Sequence, residues 1–205
     1  MTLIDISHIL DHNTPVYPGD YDTSLTLDKT PEKDQYTAYL LKSCMHTGTH
    51  VDTPMHLTRD MRTIPEFTLE CFTGNGILLD VRGENPVQMQ DEYKHKVNEG
   101  DIVLLYTGFD QYYYSGRYFT EYPSVDEELA EFLISKKIKM LGMDTPAPDY
   151  TPFPIHKMLF MQDILILENL TKLGSLLDIP SFEVFAFPLK IRAEASFVRA
   201  ICRIN

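Results

Sequence analysis

The stretch CMHTGTHVDTPMHL, residues 44–57, carries three of the chain's seven histidines within eleven positions. His46, His50 and His56 are accompanied there by one carboxylate, Asp52. Even-numbered positions would point to one face of an ideal strand. At a rise of about 3.3 Å per residue, however, a straight strand would spread His46 and Asp52 over roughly 20 Å. Ligands of one metal ion must converge to about 2.0–2.2 Å from it, so a straight strand cannot supply a metal site.

The same stretch is also poor helix material, because it contains glycine, valine, proline and three threonines between His46 and His56. The chain must therefore bend. Gly48 supplies backbone freedom for that bend, and Pro54 stiffens the exit. We expect a strand that ends in a curled loop and brings His46, His50 and Asp52 around one point.

Such a constellation suits metal-dependent chemistry. Neutral imidazoles with a carboxylate favour Zn²⁺, and also Mn²⁺ or Fe²⁺. Three protein ligands leave a coordination position open for water, whose pKa the metal lowers so that hydroxide becomes available. His56, four residues after Asp52, is then placed to act as a general acid or base. The alternative is a loop whose histidines only satisfy local contacts.

Two further residues are candidates for the same site. His156 follows a proline-rich loop, and Glu168 closes the apolar segment ILIL (164–167), where a buried acid needs a partner or a metal. The alternatives are that His156 caps a helix and that Glu168 reaches solvent. Cys44, two residues before His46, is a conceivable ligand, although a free cysteine usually behaves as a small buried hydrophobe. The remaining three histidines are interpreted as surface or structural.

Length and charge limit the classes of protein to which this chain can belong. The 205 residues are consistent with one domain spanning 1–205, with enough apolar residues (43%) for a core. Eighteen basic residues face thirty acidic ones, a net charge of -12. That balance argues against nucleic acid and against anionic membranes as partners.

Location is inferred from three features. The N-terminus MTLIDISHILDHNTP lacks the basic and apolar regions of a signal peptide, and the apolar runs are too short to cross a bilayer. The three cysteines show no CxxC pairing and are typical of free thiols in a reducing compartment. We therefore expect a cytoplasmic protein.

Many short apolar segments and few helical ones predict an α/β protein with a mixed sheet. Strand-length segments lie at 3–6, 25–27, 36–44, 76–82, 101–107, 138–144, 164–167, 182–190 and 197–204. A helix is predicted in 124–138, where Ser124 and Glu127 form a capping box, with others in part of 87–97 and after Pro154.

Two loops follow strands and are candidates for function. One is the tyrosine run FDQYYYSGRYF (109–119), whose Phe109 and Tyr112–Tyr114 could wall an aromatic pocket. The alternative is a solvent-facing or dimer-contact loop. The other is DTPAPDYTPFP (144–154), where the prolines exclude regular structure.

The motif HTGTHVDTPMH (46–56) closely resembles the signature of the metal-dependent cyclase family, which includes bacterial kynurenine formamidases (arylformamidases) and isatin hydrolases. The segments LIDISHIL, VYPGD (16–20), GMDTPAPD (142–149) and the block from 155 to 170 are similar to family segments as well. The resemblance implies a swivelling β/β/α domain, usually in homodimers or larger homo-oligomers such as tetramers. It also implies hydrolysis of a small amide by metal-bound hydroxide.

The resemblance further implies roles for individual residues. His46, His50 and Asp52 would bind a first ion, and Asp52, His156 and Glu168 a second, with zinc expected and manganese as the alternative. His56 would be the catalytic acid or base.

The chain departs from the formamidase pattern at three places. Tyr17 stands where a tryptophan is usual, His156 is followed by Lys157 instead of a second histidine, and Ala147–Pro148 replace a serine-containing pair. These differences leave open an isatin hydrolase-like or other cyclic amide or ester hydrolase. A non-catalytic metal-binding member of the same fold is a further alternative.

Overall fold

A computed structural model describes residues 1–204 of the chain. Strands β1 to β11 are, in chain order, Thr2–Asp5, Ser24–Lys29, Ala38–Lys42, His50–Asp52, Thr73–Asp80, Ile102–Tyr106, Met140–Met143, Leu165–Glu168, Phe182–Phe185, Ala195–Phe197 and Ile201–Ile204. Helices α1 to α4 are Pro31–Asp34, Tyr93–Lys96, Glu127–Ser135 and Pro154–Phe160. The predicted mixed α/β architecture is confirmed.

Nine of these strands form one sheet in the order β1-β11-β9-β5-β6-β7-β8-β4-β10. The four central strands, β5 to β8, are parallel to one another, and the flanking strands pair antiparallel. Parallel strands are normally covered on both faces, which explains why β6 to β8 are nearly continuous apolar runs.

Side chains that alternate along the central strands pack into two cores. On β6, Val103 and Leu105 belong to the core that α3 and α4 cover, whereas Ile102 and Leu104 belong to the core on the opposite face. Helix α3 contributes Leu129 and Leu133 to the first core. The sheet therefore forms the middle layer of the domain, and the loops at the carboxyl ends of β6 to β8 lie at one edge.

The sheet is strongly curled, because the chain passes from one flank to the other in a few residues. Strand β10 ends at Phe197 on one edge, and β11 begins at Ile201 near the other edge. Seven strand spacings of about 4.8 Å would separate them by about 34 Å in a flat sheet. Four residue steps reach at most about 14 Å, so the two flanks must curve toward each other.

Three local expectations were wrong. Segment 197–204 is not one strand, because the crossover just described divides it between β10 and β11. The bend in the histidine motif precedes the short strand β4 instead of following it. Helix α3 is capped by Asp126, whose side chain accepts a hydrogen bond from the Leu129 amide, because a bridge between Val125 and Val87 holds the preceding residues extended.

Strands β2 and β3 form a separate two-stranded hairpin. Its register places Leu25 opposite Leu41 and Leu27 opposite Tyr39, so these four side chains share one face. Leu27, Tyr39 and Leu41 are 49%, 63% and 41% exposed. We call this the apolar hairpin face.

The longest helix, α3, has nine residues, and none of the helices in residues 1–204 has the length and apolarity to span a bilayer. The three cysteines, Cys44, Cys71 and Cys202, are free thiols, as predicted.

We predict that Gly76→Ala destabilises the protein. Gly76 on β5 faces Phe182 on β9, and an added methyl group would overlap the Phe182 ring and lie 2.8 Å from Val184 Cγ2. Overpacking of this kind lowers the free energy of unfolding by about 1–3 kcal/mol. Urea denaturation measures the change. Gly116→Ala, which meets no atom within 4 Å, is the control and should change the free energy by less than about 0.5 kcal/mol. Equal stabilities would contradict the packing argument.

Candidate metal centre

The antiparallel pairing of β4 with β8 brings the first carboxylate and imidazole together. His50 lies directly opposite Glu168 in this register, and side chains opposite each other in such a pair are neighbours. The His50 Nε2 atom is 3.3 Å from Glu168 Oε2 and 3.3 Å from Asp52 Oδ1. Asp52 is two residues farther along β4 and so shares the face of His50.

His46 reaches the same point from the bend before β4. Gly48 adopts the left-handed φ of +65° that favours glycine, as the sequence indicated. The bend places His46 Nδ1 3.0 Å from Asp52 Oδ1 and sets the His46 ring edge-to-face with the His50 ring, with 5.3 Å between centroids. The structure thus brings His46, His50 and Asp52 together, although by a bend before the strand.

The threonines of the motif anchor this bend to neighbouring strands. The Thr49 hydroxyl donates to the Asn169 carbonyl at 2.6 Å, and the Thr53 hydroxyl donates to the Glu194 carbonyl at 2.7 Å. Asn169 in turn donates its side-chain amide to the Gly48 carbonyl at 3.0 Å. These bonds fix the backbone from which His46 and His50 project.

A second cluster shares Asp52 with the first. His156 lies in the first turn of α4, and its Nε2 is 3.2 Å from Glu168 Oε1. Each of the triads His46–His50–Asp52 and Asp52–His156–Glu168 has one ligand atom per residue, all within 4.8 Å of one another. All of these side chains are buried except that of His46, which is partly exposed. Cys44 belongs to neither triad.

The donor set fits divalent cations. His50 Nδ1 donates to the Gly48 carbonyl at 2.8 Å, so the neutral ring turns an electron pair at Nε2 toward Asp52 and Glu168. His50 Nε2 and both Asp52 carboxylate oxygens are buried without an aligned hydrogen-bond partner. Unpaired buried charge costs several kcal/mol, so positive charge must lie between these atoms. The ligand types match those of zinc and manganese.

The pKa shifts of the residues in the cluster also indicate a site that attracts cations. Burial lowers the pKa of His46, but the charge of Asp52 and the hydrogen bonds to Asp52 and Glu194 outweigh it and raise the pKa to about 11. Burial also opposes the charged form of His156, yet Asp149 and Glu168 raise its pKa to about 9. Burial would raise the pKa of Asp52, but the neighbouring His46 and His50 hold it below its usual range. The carboxylates therefore attract cations to this point.

His56 differs from the other histidines of the motif. It ends the short 3-10 turn Pro54–His56 after β4, and its ring centroid is 4.1 Å from that of His46. Burial lowers its pKa, so the neutral imidazole is favoured. A neutral imidazole next to the metal cluster can accept and return a proton at neutral pH.

A cavity of about 250 Å³ opens onto the cluster. His46, His56, His156 and Glu168 form its floor, and Tyr17, Asp20, Leu57, Phe119, Pro146, Ala147, Phe153 and Asn169 form the rest of its lining. The lining contains three aromatic rings besides the histidines but no lysine or arginine. Small-molecule sites have this combination of apolar walls and a few polar groups.

The tyrosines of the loop 109–119 do not line this cavity. Tyr113 is buried and stacks on His8 with a centroid distance of 3.6 Å, whereas Tyr114 is exposed. Tyr118 is buried, and its hydroxyl donates to Asn169 Oδ1 at 2.9 Å. Of this loop, only Phe119 reaches the cavity. The loop therefore contacts the site mainly through the hydrogen bond from Tyr118 to Asn169.

Three residues at the site went unnoticed in the sequence. Asp149 Oδ1 accepts a hydrogen bond from His156 Nδ1 at 2.5 Å, Glu194 Oε1 lies 3.2 Å from His46 Nε2, and Asn169 holds the bend at Gly48. Asp149 closes the segment GMDTPAPD, and Asn169 directly follows Glu168, which are signals that could have been used. Nothing in the sequence around Glu194 distinguishes it, because β10 brings it to His46 from the far end of the chain.

Comparisons with known proteins agree with this architecture. A kynurenine formamidase from Salinibacter ruber is 30% identical over 218 residues, covering 99% of this chain and 98% of the relative. A kynurenine formamidase from Bacillus cereus is 29% identical over 206 residues, covering 98% and 96%.

A crystal structure of an isatin hydrolase bound to the product analogue thioisatinate superposes with a TM-score of 0.85 at 21% identity, covering 98% of this chain and 91% of that one. At that identity the likeness shows the fold, and it confirms the cyclase-type α/β fold with a curled mixed sheet. Residues 4–150, well over half of the chain, match the family model Cyclase, described as "Putative cyclase". The chain therefore belongs to the cyclase family.

Proposed function

We propose that this protein is a metal-dependent hydrolase that cleaves a carbon–nitrogen bond, other than a peptide bond, in a small amide, as kynurenine formamidases do. The observation that carries the proposal is the pair of buried triads that share Asp52 beneath the cavity. The relatives covering nearly the whole chain are named kynurenine formamidase, which supports the reaction class.

His46, His50 and Asp52 would hold one ion, and Asp52, His156 and Glu168 a second. Zinc is the metal we favour, with manganese as the alternative, because both accept imidazole and carboxylate ligands. When bound, such ions polarise a carbonyl oxygen and lower the pKa of a coordinated water.

His56 would move the proton in this reaction. Its ring lies beside His46 on the floor of the cavity, and its neutral form can take a proton from the attacking water. The same nitrogen can then return that proton to the leaving nitrogen of the amide.

The lining of the cavity indicates the kind of substrate. Tyr17, Phe119 and Phe153 offer aromatic faces to a planar group, and the lining contains no lysine or arginine. Tyr17 and Ala147, two positions at which the chain departs from the formamidase pattern, both line the cavity. For this reason a cyclic amide, as in isatin hydrolases, is the second candidate substrate.

We also propose that the enzyme works in the cytoplasm as a homo-oligomer, a dimer or a tetramer. Free thiols suit a reducing compartment. The apolar hairpin face supports self-association, because a two-stranded hairpin is marginal in water unless its apolar face is covered. A second copy of the chain is the partner that is available wherever this face is exposed. Across a two-fold axis, the same apolar side chains of the two copies would face each other.

His56→Ala should lower kcat for hydrolysis of N-formylkynurenine by about 10²–10⁴-fold, since a positioned acid or base contributes that much. Metal-loaded protein is assayed for turnover, with His95→Ala, an exposed histidine, as the control that keeps full activity. Full activity of the His56→Ala variant would show that His56 is not the acid or base of the reaction.

If fully metal-loaded wild type leaves N-formylkynurenine intact but opens a cyclic amide, the second candidate substrate holds. If the loaded protein turns over no amide, lactam or lactone, the chain is a non-catalytic metal-binding member of the family and the proposed reaction is wrong.

Asp52→Asn should remove both metals together, because Asp52 is the one residue common to both triads. Metal analysis after dialysis gives the equivalents per chain. The control is Asp101→Asn, a buried aspartate at the opposite, amino-terminal end of β6, which should keep the wild-type metal content. A variant that retains two equivalents and normal turnover would rule out the shared role of Asp52.

Tyr39→Asp should lower the mass of the assembly in solution, because it introduces a charge into the apolar hairpin face. Leu40→Asp is the control, since Leu40 is exposed on the opposite face of the same hairpin. Light scattering measures the mass. A monomeric wild type, or an unchanged mass for the Tyr39 variant, would refute self-association through this face.

A further inference from the structure

One buried carboxylate outside both triads contacts a member of the second triad. Asp149 is 4% exposed, and each of its two oxygens has its own hydrogen-bond donor. Oδ1 accepts from the His156 ring at Nδ1, 2.5 Å away, and Oδ2 accepts from the Ile155 backbone amide at 2.6 Å. Asp149 therefore holds the start of α4 and the His156 ring at the same time.

We propose that Asp149 is a positioning residue that keeps the proton of His156 on Nδ1, so that Nε2 is free to bind the second metal ion. This inference rests on the proposed function, because it concerns the ion held by Asp52, His156 and Glu168.

The His156 ring lies between two carboxylates, and one of them must fix its tautomer. Glu168 Oε1 faces Nε2 at 3.2 Å, whereas Asp149 Oδ1 faces Nδ1 at 2.5 Å. The shorter bond, to a carboxylate anchored by the Ile155 amide, outweighs the longer one, so the single proton of a neutral ring lies on Nδ1. Both Nε2 and Glu168 then turn electron pairs toward the metal position. Histidine ligands of metals are commonly oriented through their other nitrogen in this way.

Asp149→Asn separates this role from that of capping α4. The Ile155 amide can only donate, so it keeps the side-chain oxygen of the asparagine as its acceptor. The NH₂ group then faces His156 Nδ1 and donates to it, which moves the ring proton to Nε2. Nε2 would donate to Glu168 in that state, so the His156 ring would present no free electron pair to the ion.

The experiment titrates Zn²⁺ into the full-length protein by calorimetry, for wild type, Asp149→Asn and Asp126→Asn. Asp126 is the matched control because it also caps a helix, accepting from the Leu129 amide at 2.8 Å, but lies outside the cluster. We expect the second Zn²⁺ to bind about 10–100-fold more weakly to Asp149→Asn, with the first ion little changed and both ions unchanged in Asp126→Asn. Unchanged binding of both ions by a folded Asp149→Asn would overturn the proposal.

Nitrogen-15 NMR of the histidine side chains supplies a readout that does not depend on metal, and its wild-type measurement does not depend on the variant folding. In the metal-free wild type at alkaline pH, where the ring is neutral, His156 should carry its proton on Nδ1, and Asp149→Asn should move it to Nε2. A proton on Nε2 in the wild type would refute the positioning role outright. If the wild type shows the Nδ1 proton but takes up one Zn²⁺ or none, the two-ion site of the proposed function fails while the tautomer assignment stands.

Discussion

The structure depends on one electrostatic constraint, the burial of two acidic side chains on the neighbouring strands β4 and β8 of the mixed sheet. Asp52 and Glu168 are almost inaccessible to water, and both approach His50. A low-dielectric surrounding makes such charges costly unless cations compensate them. Protonated histidines or a bound metal ion would compensate these charges, and the raised pKa values of His46 and His156 express the same attraction.

The adjacent placement of β8, β4 and β10 in the curled sheet makes this concentration of charge possible. Residues from four separate parts of the chain meet at the site: the bend and strand around His50, helix α4 with His156, the end of β8 with Glu168, and Glu194 before β10. In a flat sheet the flanking strands would lie far from one another. The short crossover from β10 to β11 holds the flanks close, and the two apolar cores on either face of β6 stabilise the curvature.

Around the proposed metal ligands, a second set of polar groups fixes the direction in which each imidazole presents its electron pair. The Gly48 carbonyl orients His50, Glu194 lies beside Nε2 of His46, and Asp149 bonds Nδ1 of His156. His56 has no such carboxylate partner and keeps a lowered pKa. This difference separates a residue suited to exchanging protons from residues suited to holding a cation.

The sequence alone determined the local content of the site. The spacing in residues 46–56, with Gly48 at its centre, required a bend that gathers His46, His50 and Asp52, and the apolar runs at 101–107, 138–144 and 164–167 required a buried sheet. Position 168 at the end of such a run made Glu168 a candidate for a paired acid, with exposure to solvent as the alternative. These inferences held because hydrophobic periodicity and backbone freedom are local properties.

The tertiary structure alone decided how distant segments meet. It placed the bend before β4, put Tyr17 and Phe119 in the cavity lining instead of Phe109 and Tyr112–Tyr114, and brought Glu194 to His46 across most of the chain. It also made Asp126 the N-cap of α3, where the sequence had predicted Ser124. Each of these outcomes depends on strand register and on the closure of the curled sheet. Such long-range pairings leave no periodic trace in the sequence, because the partners are separated by tens of residues.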